Sequence, residues 1–270
     1  MAKIESAFFD LSYLDALARR NTAIHRLDPR IKVIVTALFV ICVVSFHKYA
    51  ISAMLPFALV LVLVMGIAEV PTGYVLRKLF IVSPFAVMVG IFNPLLDHQP
   101  LMQLGPIVIS GGWLSFFSIL LRFGLTVSAV LLLIATTGFN AVCMAMAKLG
   151  MPRIFAVQLL MLYRYIFVLI DEGIRIHQAR ALRSFGKRGL SMKTFSHLVG
   201  QLLLRTLDRA QRIHLAMLCR GFDGTIRIQR SLAITTKDFL FLTGCCIILV
   251  LLRYFDLPLL LGKLLTGLLS

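Results

Sequence analysis

The sequence predicts an all-α integral membrane protein of about five transmembrane helices, with a cytoplasmic helical unit inserted before the last span. Of 270 residues, 59% are hydrophobic and only 15% charged, and mean hydropathy is +0.92. Soluble domains are about half apolar and a quarter charged, so this composition belongs in a bilayer. The formal charge of +16 is also concentrated in one place. Residues 33–136 carry four basic side chains (Lys48, Arg77, Lys78, Arg122), whereas residues 175–230 carry twelve, against only Asp208 and Asp223. A basic surplus points to nucleic acid, an anionic membrane face or an acidic partner, and its placement decides among these.

Taken in order, residues 1–32 hold scattered charges and no apolar core near their start, which reads as an N-terminal cytoplasmic segment rather than a cleaved signal. Four apolar runs follow within 33–138: residues 33–46, 49–68, 79–96 and 112–135, the last interrupted by Arg122. A span needs about 20 mostly apolar residues, which these runs reach or approach with their flanks. Only His47 and Lys48 divide the first two, so a tight helical hairpin is expected there. Pro56, Pro84 and Pro94 imply kinks that partner helices can accommodate. A fifth run, 239–252, opens the final segment 236–270 and is followed by the leucine-rich "LPLLLGKLLTGLLS".

Orientation follows from the basic loops, which stay cytoplasmic. Arg19, Arg20, Arg26, Arg30 and Lys32 place the N-terminus inside, Arg77 and Lys78 lie inside after two spans, and the 97–111 loop, without Lys or Arg, lies outside. Four spans return the chain to the cytoplasm near Asn140. Residues 153–172, "RIFAVQLLMLYRYIFVLIDE", are apolar enough to cross, but crossing would export the twelve-charge block. They are therefore read as a helix on the cytoplasmic side, packed on the bundle, with Arg164 paired or snorkelling. Residues 139–235 then form the inserted unit.

Within that unit, residues 195–219 read as one amphipathic helix. Arg205, Arg209 and Arg212 make a basic stripe, and Leu203, Leu207, Ala210, His214 and Met217 a neighbouring, largely apolar face. Asp208 and Arg212 stand at the i,i+4 spacing of a favourable ion pair. The helix meets "CRGFDG" (219–224), where Gly221 suits a left-handed C-terminal cap and Arg220 suits the negative end of the helix dipole. An earlier helical stretch ends in the same way at "LRSFG" (182–186). On spacing alone each arginine is either a helix stop or a working cation, because a guanidinium fork can also hold carboxylates or helix-end carbonyls in fixed geometry.

Other chemistry is sparse. The five cysteines show no CxxC spacing, and the six histidines form no HxH, HExxH or His/Cys cluster, so no metal site is expected. No GxxxxGK[ST] phosphate loop occurs, so any ATP hydrolysis must come from another chain. Asp171 and Glu172 occupy adjacent helical positions and do not share a face, so no catalytic acid/base pair is assigned. Glu172 is expected to pair with Arg175 or Arg164 and to support the inserted unit.

At "HRLDPRIKV" (25–33), "RYIFVLIDE" (164–172) running into "QARALRS" (178–184), and "LDRAQRIHLAMLCRGFDG" (207–224), the chain resembles the transmembrane T component of energy-coupling-factor (ECF) transporters, in its cobalt-type branch. The resemblance spans nearly the whole chain. It implies a non-catalytic subunit of an ATP-driven importer in the bacterial inner membrane, with two partner ABC ATPases that hold the ATP and a substrate-binding membrane S component. It favours cobalt or nickel as cargo. It also implies that the inserted helices are coupling helices, whose two arginine motifs dock into grooves on the ATPases. On this sequence those motifs are Leu182-Arg183-Ser184 and Cys219-Arg220-Gly221, each lacking the family's usual alanine, with Arg164, Glu172, Asp208 and Arg212 as structural support.

Two other readings compete. An intramembrane enzyme acting on anionic lipid would use the basic cytoplasmic face for headgroups, but it should gather acidic or histidine side chains at one membrane boundary, and the twelve acidic residues are scattered. A nucleic-acid surface should interleave aromatics with its cations, and this one does not.

Overall fold

A computed structural model describes residues 13–96, 100–104, 107–183, 191–224 and 235–254. Its helices are α1 (Pro29–Val44), α2 (Ile51–Ile67), α3 (Thr72–Gly90), α4 (Phe92–Leu96), α5 (Gly111–Thr137), α6 (Phe139–Lys148), α7 (Arg153–Arg183), α8 (Met192–Cys219) and α9 (Thr236–Tyr254). Among the described residues the fold is all-α apart from one antiparallel hairpin, β1 (Pro100–Leu104) with β2 (Ile107–Ser110), in the segment read from sequence as a loop. The chain divides into two compact units, one holding the described residues of 14–138 and 231–270, the other those of 1–13 and 139–230.

In the first unit α5 is the central post, packed against α1, α2, α3 and α4, while α9 lies on α1 and α2. α2 is apolar all round, so packing rather than polarity selects its inner face. Met54 and Phe57 are fully buried while Leu59 and Val62 stay more than half exposed, the pattern of a helix whose outer surface meets lipid rather than water. Phe57 stands edge-to-face with Phe39 at 5.8 Å and with Phe46 at 5.3 Å, the offset geometry that aromatic rings prefer. α3 approaches α5 closely at Gly90, where an added Cβ would lie 2.9 Å from Cδ2 of Phe116. Pro56 and Pro84 sit inside α2 and α3, and the chain breaks after Gly90 before Pro94 enters α4.

Among the described residues three stretches are long and apolar enough to cross a bilayer by length and composition: Thr72–Pro94, Gly111–Thr137 and Arg153–Arg183. With 16 and 17 residues, α1 and α2 fall short of the roughly 20 that a full crossing takes.

The "HRLDPRIKV" segment builds a polar clasp at one end of this unit. Asp28 is the N-cap of α1, its carboxylate accepting from the Arg30 N–H at 2.9 Å with Pro29 at the first helical position, a standard start signal. The Asp28 N–H in turn donates to the Asp238 carboxylate at 3.0 Å, and the same carboxylate accepts from the Thr235 N–H at 2.8 Å at the start of α9. Buried Lys32 donates to the carbonyls of Thr136 at 3.0 Å and His25 at 3.4 Å. The strand-distant ends of α1, α5 and α9 are thereby joined through charged groups that are almost entirely removed from solvent. At the far end of α2 the same kind of closure recurs with a non-glycine residue: Glu69 takes φ 53°, and Arg20 donates to its carbonyl at 2.7 Å.

His25 belongs to the clasp. Its Nε2 faces the Leu17 carbonyl at 3.1 Å and must donate to it, which leaves Nδ1 to accept from the Thr22 hydroxyl at 2.7 Å, so the partners select the neutral Nε2–H tautomer. Burial, and then the Lys32 ammonium, push its pKa below the ordinary 6.5. A histidine depressed in the folded state costs stability on acidification, because the unfolded chain takes up the proton first. Stability is therefore expected to be complete above pH 6.5 and to decline below it towards the lower folded-state pKa. Thermal unfolding of the detergent-solubilised chain at about pH 7.5 and about pH 5.5 checks this, and His25→Gln should remove that part of the pH dependence.

The second unit is an antiparallel series, α6 on α7 and α7 on α8. Phe139 stacks on Tyr163 at 4.6 Å, and Tyr163 meets Phe167 edge-on at 5.3 Å. α6 ends at Lys148 and is closed two residues on by Gly150, φ 116°, with the Met151 N–H returning to the Met146 carbonyl. α8 buries none of its residues, and α7 buries only Ala156 and Tyr163.

Candidate functional site

α7 is one unbroken helix of 31 residues, because no proline and no capping sequence interrupts "YRYIFVLIDEGIRIHQARALR". Its polar second half carries Arg180 and Arg183 in the last turn, where cations complement the negative helix end. Leu182 is 84% exposed and Arg183 is exposed beside it. Ser184, named with them from sequence, lies outside the described residues.

α8 ends as its sequence suggests. Cys219 is its last residue, Arg220 the C-cap, and Gly221 adopts φ 76°, a left-handed conformation that glycine takes without strain. The Gly221 N–H donates to the Leu218 carbonyl at 3.0 Å and the Phe222 N–H to the Met217 carbonyl at 3.1 Å. Together these form the paired return bonds of a Schellman closure. The helix is thus stopped by backbone bonds alone, and the Arg220 side chain is not needed for capping. Among the described residues neither Arg183 nor Arg220 has a side-chain hydrogen bond or ion pair. Two helices therefore end in exposed guanidinium groups with their donors unspent.

α7 and α8 are pinned by one short ion pair. Arg205 donates to Glu172 at 2.6 Å, with the Glu172 side chain 21% exposed and that of Arg205 62% exposed. This corrects the sequence expectation that Glu172 pairs with Arg164 or Arg175 on its own helix: Arg205 reaches it from the facing helix. An exposed pair contributes only about 0–1 kcal/mol, so its effect is on register more than on stability. Arg164 is exposed, its guanidinium 6.0 Å from the Tyr165 ring centre.

The expected Asp208–Arg212 pair is also corrected. Both residues line a cleft of about 600 Å³ with Glu172, Arg205, Arg209 and Ile213, but no ion pair joins the two. Sequence reasoning placed Arg205 on the basic stripe and missed it as the partner of Glu172. It also missed the role of His25, Asp28, Lys32 and Asp238 as a clasp, although the motif carrying three of them is visible.

The family described as Cobalt transport protein, CbiQ, matches residues 20–232. An uncharacterised protein of Methanocaldococcus jannaschii is 28% identical over 90% of this chain and 86% of its own length. The energy-coupling factor transporter transmembrane protein EcfT of Staphylococcus aureus is 28% identical over 87% of this chain and 94% of its own length. The cobalt transport protein CbiQ of Salmonella typhimurium is 28% identical over 37% of this chain and 45% of its own length. A match over most of the chain, both helix-end arginines included, together with apolar helices long enough to span, makes this protein a member of the CbiQ cobalt transport family, a multi-pass transmembrane T component of an ECF transporter.

Proposed function

We propose that this chain is the scaffold that couples two ABC ATPases to a substrate-binding membrane S component, and that Arg183 and Arg220 are the contact points with the ATPases. The ATPases bind and hydrolyse the ATP, and this chain transmits their movement. The observation that carries the reading is the pair of exposed helix ends whose guanidinium groups have no intramolecular partner among the described residues. A helix stopped by its own backbone at Gly221 can present Arg220, with Cys219 and Gly221 beside it, without unravelling on contact. Leu182 and Arg183 take the corresponding place on α7, with Ser184 next in sequence.

In this reading the plasma (inner) membrane is crossed by the helices within 33–138 and by α9, while the N-terminus and residues 139–235 lie in the cytoplasm. Glu172 and Arg205 hold α7 and α8 in register so that force applied at one tip is felt by both helices. Cargo is a metal ion: the names of the family and of the CbiQ relative point to cobalt, and nickel is the alternative that the family resemblance implies. A photo-cross-linking amino acid in place of Cys219 tests the placement: irradiation of cells should join this chain to an ABC ATPase. Cross-links to lipid alone would reject the docking role.

A further inference from the structure

α1 has 16 residues and rises about 24 Å, while the α5 post against it has 27 and rises about 40 Å. The hydrocarbon layer is about 30 Å thick, so the tip of the α1–α2 hairpin stops short of one membrane face. Two arginines gather at that tip. Arg122, eleven residues into α5, donates to the Phe46 carbonyl at 2.9 Å. Arg253, in the last turn of α9, donates to the adjacent Ser45 carbonyl at 3.1 Å and lies 4.2 Å over the Phe46 ring. The end of a helix carries only about half a negative charge, so two guanidinium groups leave this spot strongly positive. No aspartate or glutamate pairs with either arginine among the described residues, and Asp256 lies outside them. The Arg122 Nε is also buried without a hydrogen-bond partner.

Uncompensated cations at membrane depth draw in water or an anion, and the bilayer thins around a short hydrophobic element. The anion that a membrane supplies at this depth is a lipid phosphate, and guanidinium groups bind phosphate through paired, charge-assisted hydrogen bonds. We propose that the hairpin tip is a phospholipid site in which Arg122 and Arg253 together hold the phosphate of an anionic phospholipid drawn below the normal headgroup level. The short hairpin is then matched to the bilayer by a bound lipid rather than by added helix length. With the orientation proposed above, that lipid belongs to the outer leaflet; the site itself does not depend on the orientation or on the ATPase contacts.

Native mass spectrometry of the full-length chain in detergent, titrated with phosphatidylglycerol or phosphatidylcholine, tests this. The wild-type chain should keep one phosphatidylglycerol in preference to phosphatidylcholine. Arg122→Gln with Arg253→Gln should weaken that retention by about tenfold or more, and the paired Lys variant should restore part of it. Arg253→Gln alone provides the reading if the double variant does not fold, with a loss of several-fold expected. Unchanged retention in a folded Gln variant would overturn the site. Inorganic phosphate stabilising the delipidated chain as well as phosphatidylglycerol does would overturn the lipid as its ligand.

Discussion

Reversing both helix-end charges, Arg183→Glu with Arg220→Glu, is expected to abolish ATP-driven uptake and co-purification with ATPases while the chain still inserts in the membrane. In the docking proposed for them, each arginine gives up water for charge-assisted hydrogen bonds in a partner's groove, and losing such a contact costs on the order of 2 to 5 kcal/mol of association. At about 1.4 kcal/mol per tenfold, two losses remove several orders of magnitude in affinity, whereas a single variant leaves partial function. Neither side chain has a partner among the described residues, and the α8 end is held by the Gly221 and Phe222 backbone bonds. The unfolding temperature of the isolated chain should therefore hardly move, since surface changes of this kind shift stability by about 0.5 kcal/mol or less. Normal uptake by the double variant would remove these two residues from the coupling account. A large fall in stability would show instead that the arginines hold the helices together.

The largest effect on stability is expected at Asp238. Its carboxylate accepts from the Asp28 N–H at 3.0 Å and the Thr235 N–H at 2.8 Å, and the residue is 4% exposed. Asp238→Ala strips both donors of their acceptor: the buried Asp28 N–H is left unsatisfied, at about 1–3 kcal/mol, while the part-buried Thr235 N–H can turn to water. A total on the order of 2 kcal/mol is expected, with Asp238→Asn intermediate because an amide oxygen can still serve one of the two donors. Denaturant unfolding of the purified chain in mixed micelles measures this. A loss below about 1 kcal/mol would mean that α1 and α9 are joined by their apolar contacts rather than by the clasp.

Much of this fold is legible in the sequence because it rests on local signals. Apolar runs mark α2, α3, α5 and α9, Asp28-Pro29 marks the start of α1, and Arg220-Gly221 marks the end of α8. What escaped depends on partners far along the chain. Asp28 and Asp238 are 210 residues apart and Glu172 and Arg205 are 33 apart. Periodicity within one helix cannot reveal either pair. It even misdirects in the second case, since Arg175 stands at a plausible i+3 spacing from Glu172. α6 was missed because "FNAVCMAMAK" has no cap signal at its start and follows α5 across only Gly138, which takes φ 79°. The hairpin at 100–110 was read as a loop because the absence of Lys and Arg reports on topology and not on backbone conformation. α3 begins at Thr72, seven residues ahead of its apolar run, since Arg77 and Lys78 sit comfortably in a helix that emerges from the bilayer.

Near the helix ends the sequence is informative about chemistry and silent about contact. It shows two arginines followed by turn-forming residues, and the structure adds that the Arg220 side chain takes no part in capping.

The central claim is that this chain holds ATPases and a substrate-binding membrane protein together. Affinity purification of the tagged chain from its native membrane in mild detergent, followed by identification and quantification of the co-purifying proteins, tests it most directly. Two ABC ATPase subunits and one small membrane protein are expected for each chain, the membrane protein naming the cargo. A chain that purifies alone from membranes actively taking up the metal ion would contradict it.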